Sequence, residues 1–588
     1  MEEKEVLAMY DVRGIQKYIY RTLKLKDAMG ASILIEDIIM KALKYACKKL
    51  QIKKCNLEWF DENGPKDYDE NEDVTVLYIG GGNAFVRFKR RKLCTDINRQ
   101  MSKYVIEQTY SLQLAVAIVD ISGDYQIDYQ EIYKEMNRVK SDMTDSKPLS
   151  ALPIMEIELK TGFPAIDVSE YKEKIDKVRV ESNVSKETYL KILKKNKKVE
   201  EDDIDKLLDS YARRGEDSRI AVVHIDGNNM GLRIRKLIEG MTEYKDAVKE
   251  MRKISYNIKN SYLDTFEEMK KHFEDLNTRN DKVKRFVRKV IVAGDDITYV
   301  CNAYIAFDTV KYFCDKISRL TMNKGKDELN INENDINEYG FTVCAGVAFI
   351  RSHFPFNVGY KVAEACCDSA KDMAKNDKNK AYFSIDENGN CRDIDLKEYE
   401  EGMKEVVETG NSGTDKKVRY FEKTGNFVDF QICKNIQCQD LEQIRKDEYI
   451  TASGENLLVR PYYIEMEKLK GSTKLNEING NKESTFSVLK KNIQYFSNEG
   501  IVEKKKNMPR SMSKDIRNKY SLGEQQVQLF AAFLDSRAWK LPDGGSCKDN
   551  MYIVQDNGQK IAKWYDALEI MDYCSIKGGE GNDKKNKN

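Results

Sequence analysis

The feature that most restricts what this chain can fold into is an internal duplication. Two segments repeat one plan at an offset of roughly 213 to 215 positions, too long a period for a solenoid and suited to a duplicated domain. In the first copy EVLAMYD (Glu5 to Asp11) reads as a buried strand ending in an acid. Helical periodicity through Leu50 follows, then the strand VTVLYI, the turn GGGN (Gly80 to Asn83), the strand AFVRF, a helix and the strand LQLAVAIV. In the second copy RIAVVHID (Arg219 to Asp226) again ends in an acid, and helical patterns run to about Asn277. KRFVRKVIV leads into the turn AGDD (Ala293 to Asp296), and ITYVC, a helix, FTVCAGVAFI, a helix from about Asn357 to Lys375 and AYFSI follow. Both orders read β-α-β-β-α-β, so the predicted fold class is α+β, with two ferredoxin-like (palm) domains.

A chain of 588 residues needs more than these two cores. The palms are expected at 1–140 and 219–390. Residues 141–218, charge-rich and including KKNKKVEEDD, read as a helical connector, and 391–483 as a linker or extension of the second palm. Amphipathic stretches such as GEQQVQLFAAFLDSRAWKL and KIAKWYDALEIMDYC predict a helical C-terminal domain over 484–575, and 576–588 read as a disordered tail. Asp61 to Asp73 and Lys468 to Glu483 read as loops.

Composition removes several function classes. A formal net charge of +1 argues against a whole-molecule pull on nucleic acid, so phosphates must be met by local sites. No basic start precedes an apolar stretch and no run approaches eighteen apolar residues, which predicts a cytoplasmic protein with no membrane partner. Thirteen cysteines without an even framework read as reduced thiols. Neither Cys366 with Cys367 nor Cys433 with Cys438 has a matching second pair at zinc-ligand spacing. The three histidines, His224, His272 and His353, are not followed by Asp, so a histidine-rich nuclease centre cannot be built from them.

The chemistry concentrates in two turns. A strand running into DGNNMG places Asp226 at its C-terminal edge, with Gly227, Asn228, Asn229, Met230 and Gly231 leading into a helix whose free amides suit phosphate. A plain Asx turn or helix cap is the alternative for this motif alone. AGDD sets Gly294, Asp295 and Asp296 at a hairpin tip beside that strand in a palm topology. Three carboxylates meeting at one sheet edge repel one another unless cations sit between them, and oxygen ligands select two Mg²⁺ or Mn²⁺ ions. Such a pair would polarise an attacking 3′-hydroxyl and neutralise leaving pyrophosphate. Lys371 and Lys375 lie four apart on one helix face, where a lysine could meet the β- and γ-phosphates; a solvated face is the favoured reading for Lys371. His224 points to the side of Asp226 and reads as a satisfied core or supporting histidine.

These residues resemble a known family, the large polymerase-like and cyclase-like subunit of type III CRISPR effector complexes, with its two palms. The resemblance is carried by MYDVRGIQKYIY and VLYIGGGNAFVRF in the first palm, and by VVHIDGNNMG, VIVAGDDITYV and FTVCAGVAFIRSHFPF with the AK-containing helix in the second. VDF (Val428 to Phe430), RPYY (Arg460 to Tyr463) and PRSMSKDIRNKY are similar to the family's later segments. What it implies is synthesis of cyclic oligoadenylate, an antiviral second messenger, from ATP bound between two palms. Asp226, with Gly227 beside it in the metal set, matches the first metal ligand, Asp295 and Asp296 the acids of the family's GGDD turn, and Lys375 a lysine near the triphosphate. Asp11, Gly81, Gly82 and Asn83 are carried over as nucleotide-binding positions of the first palm, where Gly82 and Asn83 stand in place of the two acids and a two-metal site is not expected.

Ala293 and Asn228 depart from the family pattern, replacing a glycine of GGDD and a second acid. The first palm begins at once and no cysteine lies between Cys94 and Cys301, so neither the family's nuclease domain nor its zinc element is matched and DNA cleavage is not expected. Guide-RNA effector subunits are the implied partners, and a stand-alone defence cyclase is the other option. Competing readings are a cyclic dinucleotide enzyme with another base, a non-catalytic scaffold, and template-directed polymerisation.

Overall fold

The computed structural model describes residues 4–21, 25–61, 64–80, 82–144, scattered positions between 152 and 188, 219–277, 284–323, 340–386, 391–408, 418–435, 440–465, 482–497 and 508–574. Strand β1 (Val6–Arg13) is apolar along nearly its whole length because both of its faces are covered. Helices α1 (Ile15–Ile19), α2 (Leu25–Glu36) and α3 (Ile38–Lys49) lead to the hairpin β2 (Val74–Gly80) and β3 (Asn83–Phe88). Then come α4 (Arg91–Thr109), β4 (Gln113–Asp120) and α5 (Tyr125–Asp142). The sheet order is β2-β3-β1-β4, with Cys55–Asn56 added outside β2. This is the ferredoxin-like arrangement, and β1 is antiparallel to both neighbours.

The second palm repeats it. Its elements are β5 (Arg219–Gly227), α6 (Met230–Ile238), α7 (Tyr244–Asp275), the hairpin β6 (Val287–Ala293) and β7 (Asp296–Asn302), α8 (Ala306–Ile317), β8 (Val343–Arg351) and α9 (Phe356–Lys375). The order β6-β7-β5-β8 matches the first sheet strand for strand. Even the irregularity repeats. Register shifts between Val76 and Tyr78 in one hairpin and between Lys289 and Ile291 in the other, and the two turns close on Gly80 opposite Asn83 and on Ala293 opposite Asp296.

Beyond the duplicated core, β9 (Lys380–Asp386), which contains AYFSI, leaves the palm sheet. It forms a small separate sheet with β10 (Cys391–Ile394) and β11 (Val418–Thr424), in the order β10-β9-β11. The palm sheet is instead extended by β12 (Asn426–Ile432), parallel to β8, and by β13 (Tyr462–Ile464). The C-terminal part is mainly helical, with α10 (Phe486–Ser497), α11 (Arg510–Ser521), α12 (Glu524–Ser536) and α13 (Tyr565–Cys574) around one short hairpin, Tyr552–Val554 with Lys560–Ala562. Buried Arg460 fastens it to the palm: its guanidinium donates to the Phe430 carbonyl at 2.6 Å and to Glu569 at 3.1 Å. Asp566 of α13 accepts the Val459 and Arg460 amides.

The predicted helical connector lies mostly outside the described residues, and what is described of it includes a short strand pair, Asp167–Val168 with Val178–Arg179. Most of the predicted 468–483 loop and the 576–588 tail also lie outside the described residues. Among the described residues no helix is long and apolar enough to cross a membrane, and the described cysteines are free.

Candidate active site

The second palm brings its acids to one sheet edge. Asp226 ends β5, and Ile225 pairs with Ile297, so the β6–β7 turn carrying Asp295 and Asp296 stands beside it. Gly294 has φ +68° at the first central position of that two-residue turn, the place where a type II′ hairpin favours glycine. The residue before it, Ala293, has an ordinary φ, so its side chain does not disturb the hairpin. Gly227 is required for a different reason: a Cβ there would come within 2.9 Å of both Asp295 Oδ2 and Tyr262 Oη and 2.8 Å from Met230 Cγ.

Charge crowding shows in the acids. Burial and the neighbouring Asp226 push Asp295 up to about 6; burial with the charges of Asp226, Asp295 and Glu364 pushes Asp296 up to about 8. Asp296 Oδ1 is buried and accepts no hydrogen bond. His224 is buried and held near 4 by desolvation, hence neutral at pH 7, with Nδ1 3.0 Å from Thr298 Oγ1 and 3.5 Å from Asp296 Oδ1. It is a buried neutral ring beside the acids, satisfied by Thr298.

Lys371 requires a correction. It is no solvated surface lysine: α9 lays it against the site, where its ammonium forms an ion pair with Asp226 Oδ2 and is only 20% exposed. Lys375, one turn on, is 62% exposed and stands 3.4 Å from Asp372. The same helix adds Glu364 and Asp368, whose carboxyls are raised by burial and by the Asp226 charge among other neighbours. Spacing of four and seven residues (364, 368, 371) puts these groups on one face, a signal that reading the lysines alone missed. What lets α9 approach is Gly346 on β8, directly opposite His224; a Cβ there would collide with the Ala363 carbonyl oxygen and the Cys367 nitrogen. A glycine inside a strand pattern is the sequence signal for such an approach.

The first palm also reaches in. Tyr20 is buried, stacks on Tyr360 and leaves its hydroxyl without a hydrogen-bond partner; Tyr360 in turn donates to Glu364 at 2.9 Å. Among the other sequence candidates, Asn229 takes the left-handed conformation at the start of α6, Met230 is a buried packing residue, and Gly231 faces open space. Asn228 is buried, its amide donating to Thr342 Oγ1 at 3.4 Å and the Gly425 carbonyl at 3.3 Å, so its contribution is to hold the loop against β8 and β12. In the first palm Asp11 pairs with Lys140 of α5 at 2.6 Å, across the register from Asn83, while Gly82 has φ +82° and Gly81 lies outside the described residues.

Residues 219–381 match the family profile described as Cas10/Cmr2, second palm domain. That stretch of the chain is similar to a Cas10/Cmr2 second palm. The match covers the strands, turns and helix that assemble Asp226, Asp295, Asp296 and Lys371 in this Cas10-like palm. No curated protein matches the chain. Solved structures similar to it include the Csm1–Csm4 cassette in complex with cA4, at 14% identity, covering 64% of this chain and 54% of that one, with a TM-score of 0.38. The same cassette with AMPPNP gives 14%, 64%, 54% and 0.37. Csm1 in T.onnurineus gives 14%, 64%, 53% and 0.36. The chain thus spans about half the length of these relatives.

The residues fit a pair of divalent cations by donor chemistry. Three carboxylates share an edge, one buried oxygen accepts no hydrogen bond, and a glycine keeps the space beside Asp295 clear. The present arrangement is cation-paired differently, with Lys371 on Asp226. Among the described residues no three acidic, histidine or cysteine side chains are gathered closely enough to hold an ion.

Proposed function

We propose that this chain joins nucleoside triphosphates by metal-dependent phosphoryl transfer at Asp226, Asp295 and Asp296, producing a cyclic oligoadenylate-type messenger in type III CRISPR-like antiviral defence. The observation that carries the reading is the convergence of these carboxylates on one edge of a Cas10-like palm, with Asp296 Oδ1 left unpartnered. Two Mg²⁺ or Mn²⁺ ions held there would polarise a 3′-hydroxyl and neutralise leaving pyrophosphate. The chain's own residues do the rest. The Asp226–Gly231 loop lets backbone approach phosphate, Lys371 on release from Asp226 becomes a free cation beside it, and neutral His224 fixes Thr298 beneath the turn. Adenine as the base, and guide-RNA effector subunits as partners, rest on the family resemblance alone. Incubating the pure protein with each triphosphate and Mg²⁺ and resolving products by mass tests the reading. Cyclic or linear oligoadenylate from ATP is expected; no product with any triphosphate, with or without partner subunits, overturns it.

One observation favours a second reading, a nucleotide-binding scaffold without turnover: Lys371 already neutralises Asp226. ATP binding that is independent of Mg²⁺ and never followed by pyrophosphate release would select it.

A further inference from the structure

The buried stripe of α7 carries one atom that packing does not require. Ile258, Tyr262, Phe266, Met269 and Phe273 recur at helical spacing and are buried, Tyr262 to 0% exposure. Its ring lies edge-on to Phe341, with centroids 5.3 Å apart, and tilted to Phe313 of α8 at 6.0 Å, so it is held as a core aromatic. A phenylalanine, as at 266 and 273, would fill this place as well. Yet Tyr262 Oη has no hydrogen-bond partner among the described residues, and burying a hydroxyl in that way costs stability. The hydroxyl is aimed at the acid turn. A Cβ placed on Gly227 would lie 2.9 Å from Tyr262 Oη and 2.9 Å from Asp295 Oδ2. The two oxygens thus flank one point beside Gly227 and are separated by no more than twice that length.

We propose that Tyr262 is a positioning residue of the acid turn: its hydroxyl donates to Asp295 Oδ2 and fixes that carboxylate in the orientation that takes a divalent cation. The proposal deepens the metal-dependent reading above and rests on it for the cation, while Tyr262 acts only through Asp295. A carboxylate has lone pairs for more than one partner, and the χ2 torsion that turns it is soft, so a small rotation of Asp295 brings Oδ2 to the phenol. Burial, with the charges of Asp295 and Asp226, holds the phenol well above its ordinary range, so it stays protonated and able to donate. A neutral donor is what the place needs. A lysine there would compete with the ion for Asp295, as the Lys371 ammonium does for Asp226, whereas a phenol orients the carboxylate and leaves its charge to the ion. The brace is also firmly mounted, because Arg252 of the same helix holds the Val76 and Leu77 carbonyls of the first palm's hairpin.

The test is Tyr262→Phe, which keeps the ring and removes only the hydroxyl. Mn²⁺ affinity of the full chain is read by calorimetry without nucleotide, Tm is read in chelator, and product formation from ATP is followed as Mn²⁺ is raised. Tm in chelator should equal or exceed that of wild type, because no bond is lost there. Mn²⁺ should bind about tenfold more weakly, the scale of one hydrogen bond to a charged group, and excess Mn²⁺ should restore kcat. A parallel variant, Tyr299→Phe, loses a buried hydroxyl that is bonded to Thr309 Oγ1 at 2.8 Å, and should lower Tm without changing Mn²⁺ affinity. Unchanged Mn²⁺ affinity in Tyr262→Phe overturns the proposal even if wild type turns ATP over. So does an equal loss in Tyr299→Phe, which would mark a general loosening of the core. Wild type that binds no Mn²⁺ overturns it together with the metal-dependent reading. Weakened Mn²⁺ binding by Tyr262→Phe alone, in a chain that makes no product, leaves Tyr262 its role and removes the synthetase reading instead.

Discussion

The two palms are one architecture used twice, and the difference that bears on cation binding lies in the turn. Strand order, hairpin register, the register shift before the turn, and a lysine from the helix after the fourth strand paired to the acid of the first strand are all common to both: Asp11 with Lys140, Asp226 with Lys371. What separates them is Gly82-Asn83 against Asp295-Asp296. The fold supplies the lysine-covered acid in either case, and only the second turn adds the carboxylates whose repulsion gives a divalent cation something to relieve.

The sharpest way to break that asymmetry is in the turn itself. Asp295→Asn with Asp296→Asn should lower product formation by more than about 10³-fold, since the charges removed are asked to supply several kcal/mol of transition-state stabilisation through the metals. Asp11→Asn should lower it by less than about tenfold if the first palm only binds or braces. Product assays on both, with circular dichroism to confirm folding, decide it; equal losses would make the first palm a catalytic partner.

A second test asks whether the palms act as one body. Arg252 of α7 is buried and its guanidinium donates to the Leu77 and Val76 carbonyls, at 2.6 and 2.7 Å, and to Lys66 at 2.7 Å. It therefore caps carbonyls at the irregular point of the first palm's hairpin from a helix of the second. Arg252→Ala strands two buried acceptors at about 1 to 3 kcal/mol each and a third that is partly buried, so a loss of about 2 kcal/mol or more in denaturant unfolding is expected. A loss under 1 kcal/mol would mean the palms fold and hold independently.

The duplication, the strand order and the three acids were legible in the sequence because period-2 and period-3.6 patterns and a DD turn are local signals. Lys371 was not. Its reach to Asp226 depends on Gly346 allowing α9 onto the sheet, a contact between positions far apart in sequence that lysine spacing does not encode. Tyr20 was missed for the same reason, since it belongs to one palm and packs against Tyr360 of the other. AYFSI has a good strand pattern, and pattern alone does not say which sheet a strand joins.

A medium effect is expected with pH. Asp296, held near 8, keeps a proton in the folded metal-free protein that it loses in the unfolded chain well below pH 7. A raised carboxyl contributes stability that is lost as pH rises through the folded value, so Tm in chelator should fall between pH 6.5 and 8.5. His224, folded near 4, works in the opposite sense up to about pH 7, because the unfolded imidazole titrates near 6.5; its effect therefore fades within the lower part of the window, and below it Asp295 near 6 opposes it. The Asn double variant should lose most of this decline, and a wild-type Tm that is flat across the window would mean the acids are not crowded. Kinetically, Lys375→Ala should raise KM for the triphosphate a few-fold, roughly what one exposed lysine contributes to ground-state and transition-state binding alike. Unchanged KM would return Lys375 to solvent.

The smallest effect sharpens the comparison most, because it sets the two ion pairs against each other. Lys140→Met removes the cation from Asp11, a partly exposed pair, and should cost about 1 kcal/mol or less. It should leave untouched the rise in Tm that Mg²⁺ produces, because no second carboxylate stands in the Gly82-Asn83 turn to share an ion. Lys371→Met removes the cation from Asp226, where Asp295 and Asp296 are close neighbours. The metal-free protein should lose stability at pH 8, and Mg²⁺ should then raise Tm by a few degrees more than in wild type, because the ion no longer competes with the ammonium for Asp226. Differential scanning fluorimetry with and without Mg²⁺ on the two variants reads this directly. An enlarged Mg²⁺ shift in Lys140→Met would place an ion in the first palm, and an unaltered shift in Lys371→Met would show that Lys371 does not guard the metal-binding edge.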